Sequence, residues 1–305
     1  MASHTKHIVL LVGSTGKTGS SIVRALAKLP EKYVIKALVR RSSMDKPIVQ
    51  EFRNLGVEIV PGDLAGDTQE SLETKLNNVD IVINATIPVE DGNQNKLFLA
   101  AKNASVKRVV PSDFGPSAPP GAMKYQDTKL KIRQFIIENE IPYTFIQAGW
   151  LTSLLFPQSH SVAGNSPMGK QFYGSGKVKT AYTALERVGE FVARIIGDPR
   201  TLNQIVQAYD GEATLEEVWT IASKVTGENF DDYTRLSAED IESTLRDGPD
   251  FLTALLFEYN RSALIRGDNT VENAVSLGAL DARVLYPDYV PLGLEEVAKQ
   301  VYGKN

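Results

Sequence analysis

The sequence contains no cysteine and only three histidines among its 305 residues. Without cysteine, disulfides, thiolate zinc sites and thiol nucleophiles are excluded. His4 and His7 lie at the N-terminal edge, and His160 lies in a stretch rich in proline, serine and glycine. A three-histidine metal site or a Ser-His-Asp triad is therefore not expected. We expect a chemistry that needs neither a thiol nor an imidazole.

Long apolar runs and an excess of positive charge are also missing. No run approaches the ~18 apolar residues of a membrane span, and the first apolar stretch meets Gly13 without the pattern of a signal peptide. The net charge is −4, whereas nucleic-acid-binding domains are usually basic. We therefore expect a cytoplasmic protein that binds a small molecule rather than nucleic acid or a membrane. A homodimer is a possible assembly.

Short apolar segments alternate with helical patterns in the first half of the chain. This alternation predicts βαβ units and a parallel sheet covered on both faces, which is an α/β, Rossmann-type doubly wound fold. The predicted strands cover residues 7–12, 33–39, 57–60, 80–84, 108–111 and 143–147. The predicted helices between them include 45–55, 68–76, 93–102 and 124–139.

The pattern changes near Trp150. A length of 305 residues suggests about two domains, so we predict a nucleotide-binding domain at 1–150 and a smaller, mostly helical substrate domain at 151–305. Segments such as 178–200 are expected to pack back on the first domain. The stretch 157–176 is rich in proline, glycine and serine, and it is interpreted as a loop or lid.

A glycine-rich turn follows the first predicted strand. Gly13, Gly16 and Gly19 have the spacing G-x-x-G-x-x-G, which suits a tight turn, a close approach to pyrophosphate and close helix packing. A nucleoside triphosphate loop would need a glycine where Leu11 stands. The turn therefore predicts dinucleotide binding at the start of the first helix. The residues between the glycines that are expected to contact the cofactor are Ser14, Thr15, Lys17 and Thr18.

Basic residues follow the second predicted strand. An NAD enzyme usually has a carboxylate there, whereas this chain has Arg40 and Arg41, with Lys46 close behind. Guanidinium groups can pair with a 2′-phosphate, so NADP(H) is predicted in preference to NAD. Because ligands bind at the carboxyl ends of parallel strands, further cofactor contacts are assigned there. They are Asp63, Ala85, Thr86, Ser112, Lys129, Gly149 and Trp150.

Three residues around the fifth predicted strand are the catalytic candidates. Tyr125 and Lys129 lie one helical turn apart, and Ser112 precedes Tyr125 by thirteen residues. This spacing matches the Ser and Tyr-x-x-x-Lys pattern of short-chain dehydrogenases, in which lysine lowers the pKa of tyrosine and tyrosine exchanges a proton with the carbonyl group. The spacing leaves open whether Lys129 or Tyr125 is the proton donor.

Further motifs resemble the isoflavone-reductase-like and phenylcoumaran benzylic ether reductase-like branch of the NmrA-like, atypical short-chain reductases. Besides the glycine loop, they include Val109-Val-Pro-Ser-Asp-Phe-Gly115, Lys129-Leu-Lys131-Ile-Arg133 and Asp198-Pro-Arg-Thr-Leu202. The resemblance implies an NADPH-dependent reductase in which Lys129 is the catalytic lysine. It also implies phosphate contacts at Gly13 to Lys17 and 2′-phosphate contacts at Arg40 and Lys46.

The chain departs from this branch after Ile146. The family usually has Asn-Cys-Phe-Ala-Gly near the nicotinamide, whereas this chain reads Gly149-Trp150-Leu151-Thr152-Ser153. Tyr125 is also unusual in that branch. The substrate therefore does not carry over from the family. An apolar, aromatic pocket is expected, with walls formed by Phe114, Trp150, Leu154, Phe172, Tyr173, Leu256 and Tyr259.

These features predict an NADPH-dependent reductase of an aromatic or polycyclic molecule, in secondary metabolism. The hydride acceptor is a carbonyl, enone, imine or quinone methide carbon. Two alternatives stay open: a non-catalytic NADP(H)-sensing regulatory protein, and an epimerase or isomerase with bound NADP. No metal is expected.

Overall fold

A computed structural model describes residues 6–87, 91–162 and 168–303. The elements of the first half, in chain order, are β1 (His7–Val12), α1 (Lys17–Ala27), β2 (Tyr33–Val39), α2 (Pro47–Asn54), β3 (Glu58–Pro61), α3 (Gln69–Lys75), β4 (Ile81–Asn84), α4 (Asp91–Asn103), β5 (Arg108–Val110), α5 (Lys124–Glu138) and β6 (Thr144–Gln147). Their bounds differ from the predicted ones by at most two residues. For example, α2 begins at Pro47 rather than at Asp45, because proline is favoured in the first turn of a helix.

The second half contains more strands than the sequence indicated. Its elements are β7 (Trp150–Leu151), β8 (Gln171–Tyr173), β9 (Lys179–Thr183), α6 (Leu185–Ile195), β10 (Gln204–Gln207), β11 (Gly211–Thr214), α7 (Leu215–Thr226), β12 (Thr234–Leu236), α8 (Ala238–Arg246), α9 (Phe251–Asn260), α10 (Val271–Ser276), β13 (Ala279–Asp281), α11 (Ala282–Leu285) and α12 (Leu294–Val301). Most of these strands have three to five residues, too few for a clear alternating pattern.

The main sheet has the order β3-β2-β1-β4-β5, and every pairing is parallel. A parallel bridge pairs Val109 of β5 with Tyr143, the residue just before β6. The strand order reverses between β1 and β4, and the crevice at such a reversal is where doubly wound sheets bind nucleotides. The predicted α/β doubly wound fold is confirmed.

The sheet forms because its central strands are apolar on both faces. Residues Val9 to Val12 of β1 are at most 3% exposed. One face packs against Leu97 and Phe98 of α4 and Ile136 of α5 in a single apolar cluster. Strands buried on both sides require helices on both sides, which the βαβ connections supply.

The chain divides into two compact units that are not contiguous in sequence. The first comprises the described residues of Met1–Phe114, Thr128–Ile146 and Glu186–Val206. The second comprises those of Gly115–Asp127, Gln147–Leu185 and Gln207–Asn305. The sequence placed one boundary near Trp150, whereas in the structure α6 and the turn after it belong to the first unit.

Buried polar contacts explain why α6 belongs to the first unit. The amide of Gly189 donates a hydrogen bond of 3.1 Å to Ser21 Oγ, and a Cβ at Gly189 would lie 2.3 Å from Ser21 O. The guanidinium of Arg108 donates to Ile195 O, Asp198 O and Thr201 Oγ1. Apolar periodicity could not reveal these contacts between residues that are far apart in sequence.

The second unit has its own aromatic core and two small sheets, with the orders β11-β9-β7 and β12-β8. The sequence predicted a helix over 251–264. The α-helix ends at Asn260, and a π-helical turn, Arg261–Arg266, follows it. Gly267 ends the turn with φ of +76°. Across the described ranges, no helix is both long and apolar enough to span a bilayer. Part of the predicted 157–176 loop, residues 163–167, lies outside the described residues.

Candidate active site

The glycine loop joins β1 to α1 and is closely packed. Gly13 has φ of +78°, and a Cβ there would lie 2.7 Å from the carbonyl carbon of Ala85. A Cβ at Gly19 would lie 2.2 Å from Gly13 O. Side chains are therefore excluded at both positions. The contact also brings Ala85 and Thr86, which follow β4, beside the loop; their contact with the cofactor stays a prediction.

The start of α1 suits an anion. Gly16 is the N-cap and provides no side-chain cap, and the first turn contains no acidic residue. Free amide groups and the helix dipole at such an end attract phosphate. Ser14 is 1% exposed, and its hydroxyl has no hydrogen-bond partner among the residues that the structure describes. A buried hydroxyl without a partner is costly, so the loop fits the pyrophosphate of a dinucleotide.

The predicted 2′-phosphate residues lie just beyond β2. Arg40 precedes a 3-10 turn, Arg41–Ser43, and Arg40, Arg41 and Lys46 are all exposed. The amide of Gly62 donates 3.0 Å to Val39 O, so the residue after it, Asp63, follows the end of β3 beside the end of β2. These positions are compatible with a 2′-phosphate, and their role stays a prediction.

Lys129 lies on α5 and is only 6% exposed. Burial lowers its pKa to about 8, the nearby Asp113 carboxylate raises it and the Arg133 guanidinium lowers it. Asp113 and Arg133 form a buried ion pair, with Arg133 Nε 2.6 Å from Asp113 Oδ2. The Arg133 guanidinium also lies 5.3 Å from the centre of the Phe145 ring. A lysine with this pKa is mostly cationic at pH 7 and can still release a proton.

Ser112 lies at the end of β5, next to the cofactor edge. Its hydroxyl donates to the carbonyl oxygen of Thr86, and Thr86 in turn donates from its amide and its hydroxyl to Asn84 Oδ1. This chain of hydrogen bonds joins the ends of β4 and β5. The structure thus brings Ser112 together with Thr86, and a catalytic role for Ser112 stays a prediction.

Tyr125 lies one turn before Lys129 on α5. Burial raises the pKa of its phenol, which keeps the phenol protonated at neutral pH. Its ring centre lies 5.9 Å from that of Tyr259, and the Tyr259 ring lies 5.7 Å from Trp150. The three rings form a row in the second unit.

The predicted substrate residues do not all share one environment. Gly149 has φ of +61°, and a Cβ there would lie 2.6 Å from Ala181 O. Leu154 is 48% exposed, and Phe114 and Leu256 are partly buried. In contrast, Phe172 is buried in the core, with its ring edge-on to Trp219. Trp150 and Tyr173 are buried and line a small cavity. Their contact with substrate stays a prediction.

Sequence reasoning gave no role to Asp113, Arg133 or Asn260. The first two lie inside the quoted motifs, and Arg133 follows Lys129 by one helical turn, which was the available signal. No local pattern points to Asn260, because its neighbours on α9 are ordinary helix residues.

Comparison with known proteins identifies the family. The model of the NmrA-like family matches residues 5–296. An asnovolin J 5′,6′-dehydrogenase from Aspergillus novofumigatus is 31% identical, over 96% of this chain and 94% of that protein. An isoflavone reductase homolog from Arabidopsis thaliana is 30% identical, over 95% and 97%.

Similarity to solved structures supports the same family assignment. The crystal structure of an isoflavone reductase superimposes with a TM-score of 0.82 at 27% identity, covering 97% of this chain and 99% of that one. A structure of AtPrR2 with NADP+ and (+)-pinoresinol superimposes with a TM-score of 0.80 at 25% identity, over the same shares. The chain belongs to the NmrA-like family. It is an oxidoreductase of the isoflavone reductase type, and the predicted NADP(H) is confirmed as the cofactor of that group.

Proposed function

We propose that this chain is a cytoplasmic, NADPH-dependent reductase of an uncharged aromatic or polycyclic molecule of secondary metabolism. The reduced atom is an electrophilic carbon, as in a carbonyl, enone, imine or quinone methide. The observation that carries the proposal is Lys129, a buried lysine whose pKa is lowered to about 8 on the helix that follows β5. The names of the relatives, which include isoflavone and phenylcoumaran benzylic ether reductases, support this substrate class.

The first unit would hold the cofactor, which supplies the hydride when bound. The amides of the glycine loop and the start of α1 would bind the pyrophosphate, and the unpartnered Ser14 hydroxyl would donate to it. Arg40, Arg41 and Lys46 would pair with the 2′-phosphate. The second unit, with its aromatic core, would supply most of the substrate contacts.

Lys129 would stabilise the negative charge that develops on the substrate oxygen or nitrogen, and donate a proton from Nζ to that atom. Its lowered pKa suits this role, because an acid is most effective when its pKa is near the working pH. Tyr125 is a less suitable donor, since burial raises the pKa of its phenol.

Replacing Lys129 tests this function. Lys129→Ala should lower kcat at least about a hundredfold, the usual contribution of a general acid, while leaving the Kd for NADPH largely unchanged. Lys131→Ala, at an exposed position of the same helix, is the matched control. The measurements are substrate-dependent NADPH oxidation across a panel of aromatic ketones and enones, and NADPH binding by calorimetry.

Three results would count against the proposal. Wild-type turnover by Lys129→Ala would remove the lysine from the mechanism. NADPH binding by the wild-type protein with no turnover on any compound of the panel would favour the NADP(H)-sensing alternative. Interconversion of stereoisomers without net NADPH consumption would favour the epimerase alternative.

A further inference from the structure

A small, partly open cavity of about 10 Å³ lies in the second unit. Its walls include Trp150, Leu154, Tyr173, Trp219 and Asn260, and none of the residues that line it is charged. A volume of this size is roughly what one water molecule or one oxygen atom of a ligand requires. Both tryptophans of the chain contribute to the walls.

Two hydrogen-bond donors at this cavity are buried and unpartnered. Trp150 is 5% exposed and Asn260 is 1% exposed. Neither Trp150 Nε1 nor Asn260 Nδ2 has an acceptor within the described part of the chain. The side-chain oxygen of Gln171, also at the cavity, already accepts 2.7 Å from the Tyr173 hydroxyl. Burying a donor without an acceptor is unfavourable, so a ligand oxygen or a water molecule in the cavity would stabilise the two N–H groups.

The position of Asn260 is a second, independent observation. It is the last residue of α9, and the π-helical turn begins immediately after it. Single π-helical turns occur frequently at functional sites. The row of rings continues from Trp150 through Tyr259 to Tyr125, which lies one turn from Lys129 on α5. The cavity therefore adjoins a row of aromatic rings within the second unit.

We infer that Trp150 Nε1 and Asn260 Nδ2 form a two-donor site for one uncharged oxygen atom of the substrate, such as a carbonyl or ether oxygen. This inference rests on the proposed function. Because no lining residue carries a charge, a carboxylate or phosphate would be buried without a counter-ion, which is strongly unfavourable. The site therefore selects for a neutral, oxygen-bearing ring compound.

A matched pair of probes tests the inference without turnover. 1-Tetralone and tetralin have the same bicyclic framework, but only tetralone carries a carbonyl oxygen. Equilibrium dialysis of the wild-type protein should show tetralone binding about five- to fifty-fold more tightly, as expected when buried donors gain an acceptor. Equal affinities would overturn the inference.

Variants then assign the preference to the two donors. Trp150→Phe and Asn260→Leu should each bring the affinity ratio toward one. Phe230→Leu, which alters a buried aromatic residue of the same core outside the cavity lining, should keep the ratio. An unchanged ratio in Trp150→Phe would overturn the assignment even if Asn260→Leu failed to fold.

The outcome separates this inference from the proposed function. A retained tetralone preference in a protein that reduces nothing would reject the reductase proposal and leave a neutral oxygen site. Efficient reduction of aromatic ketones combined with an affinity ratio of one would support the reductase and reject the site.

Discussion

Lys129 is controlled by two charges of opposite sign. Burial alone favours the neutral amine, the Asp113 carboxylate favours the ammonium, and the Arg133 guanidinium opposes it. Because Asp113 and Arg133 are paired with each other, their effects on Lys129 partly cancel. If one of the two residues is replaced by a neutral one, the charge of the other acts on the pKa of Lys129 without this cancellation.

This arrangement predicts opposite pH shifts. If protonated Lys129 is the acid, activity falls as the pH rises through its pKa. Asp113→Asn removes the charge that raises this pKa, so the alkaline limb of kcat/KM should move to lower pH. Arg133→Gln removes the charge that lowers it, so the limb should move to higher pH.

The measurement is a pH profile for both variants at a temperature where each remains folded. Each should also lose about 3–5 kcal/mol of stability, because a buried charge loses its partner. A loss of stability alone would not move the alkaline limbs of the two variants' pH profiles in opposite directions. Shifts of the same sign would contradict this account of Lys129.

At this scale the sequence identified residues whose roles depend on local spacing. Gly13 and Lys129 were found because a turn and a helix place them predictably. Asn260 could not be found, since the role inferred for it rests on an unpartnered amide at a cavity that it shares with Trp150, more than a hundred positions away in the chain. Hydrogen-bond satisfaction of a buried group is a property of the folded molecule only.

At the scale of elements, a cluster of polar contacts connects the segment after Phe156 to the loop after α7. His160 Nδ1 lies 2.7 Å from Glu228 Oε2, and His160 Nε2 lies 3.2 Å from the Asp232 carboxylate. Ser159 Oγ donates 2.5 Å to Glu228. The imidazole also stacks on Phe230 and contacts Tyr233. We call this group the His160 tether.

The His160 tether should make stability depend on pH. Hydrogen bonds to Glu228 and Asp232 raise the pKa of His160 above its usual 6.5. A raised pKa stabilises the fold at pH values below about 6.5, and this stabilisation is lost as the pH rises through the folded-state pKa. Hydrogen bonds from Ser159 and His160 lower the pKa of Glu228 to about 2, so its contribution is lost only as the pH falls below about 4.5.

Thermal unfolding checks this prediction. His160→Gln should lower Tm more at pH 5.5 than at pH 8.5. An NMR titration of His160 in the wild-type protein should give a pKa above 6.5. A value at or below 6.5 would contradict the tether.

For the whole molecule, the sequence predicted the doubly wound sheet and a segment such as 178–200 packing back on the first domain, but not the contacts that hold α6 there. The sheet depends on β1, β2 and β4, whose apolar runs are continuous and local. Membership of α6 in the first unit depends on contacts such as Gly189 to Ser21, which join residues 168 positions apart. Local periodicity carries no information about pairs at that separation.

Cofactor preference should appear as a change in global stability. A ligand that binds only the folded state stabilises it by about 2.7 kcal/mol at a hundred times its Kd. If Arg40 pairs with the 2′-phosphate, NADPH should raise Tm more than NADH at equal concentration. Arg40→Ala should remove most of this difference, because NADH lacks the phosphate that the guanidinium binds.

Lys28→Ala removes another exposed positive charge, at the carboxyl end of α1, so it should keep the wild-type difference between the two cofactors. If only the total positive charge mattered, both variants would bind NADPH more weakly. If Arg40 contacts the 2′-phosphate, only Arg40→Ala would bind NADPH more weakly. Equal Tm shifts with NADPH and NADH in the wild-type protein would reject the assignment of Arg40, Arg41 and Lys46.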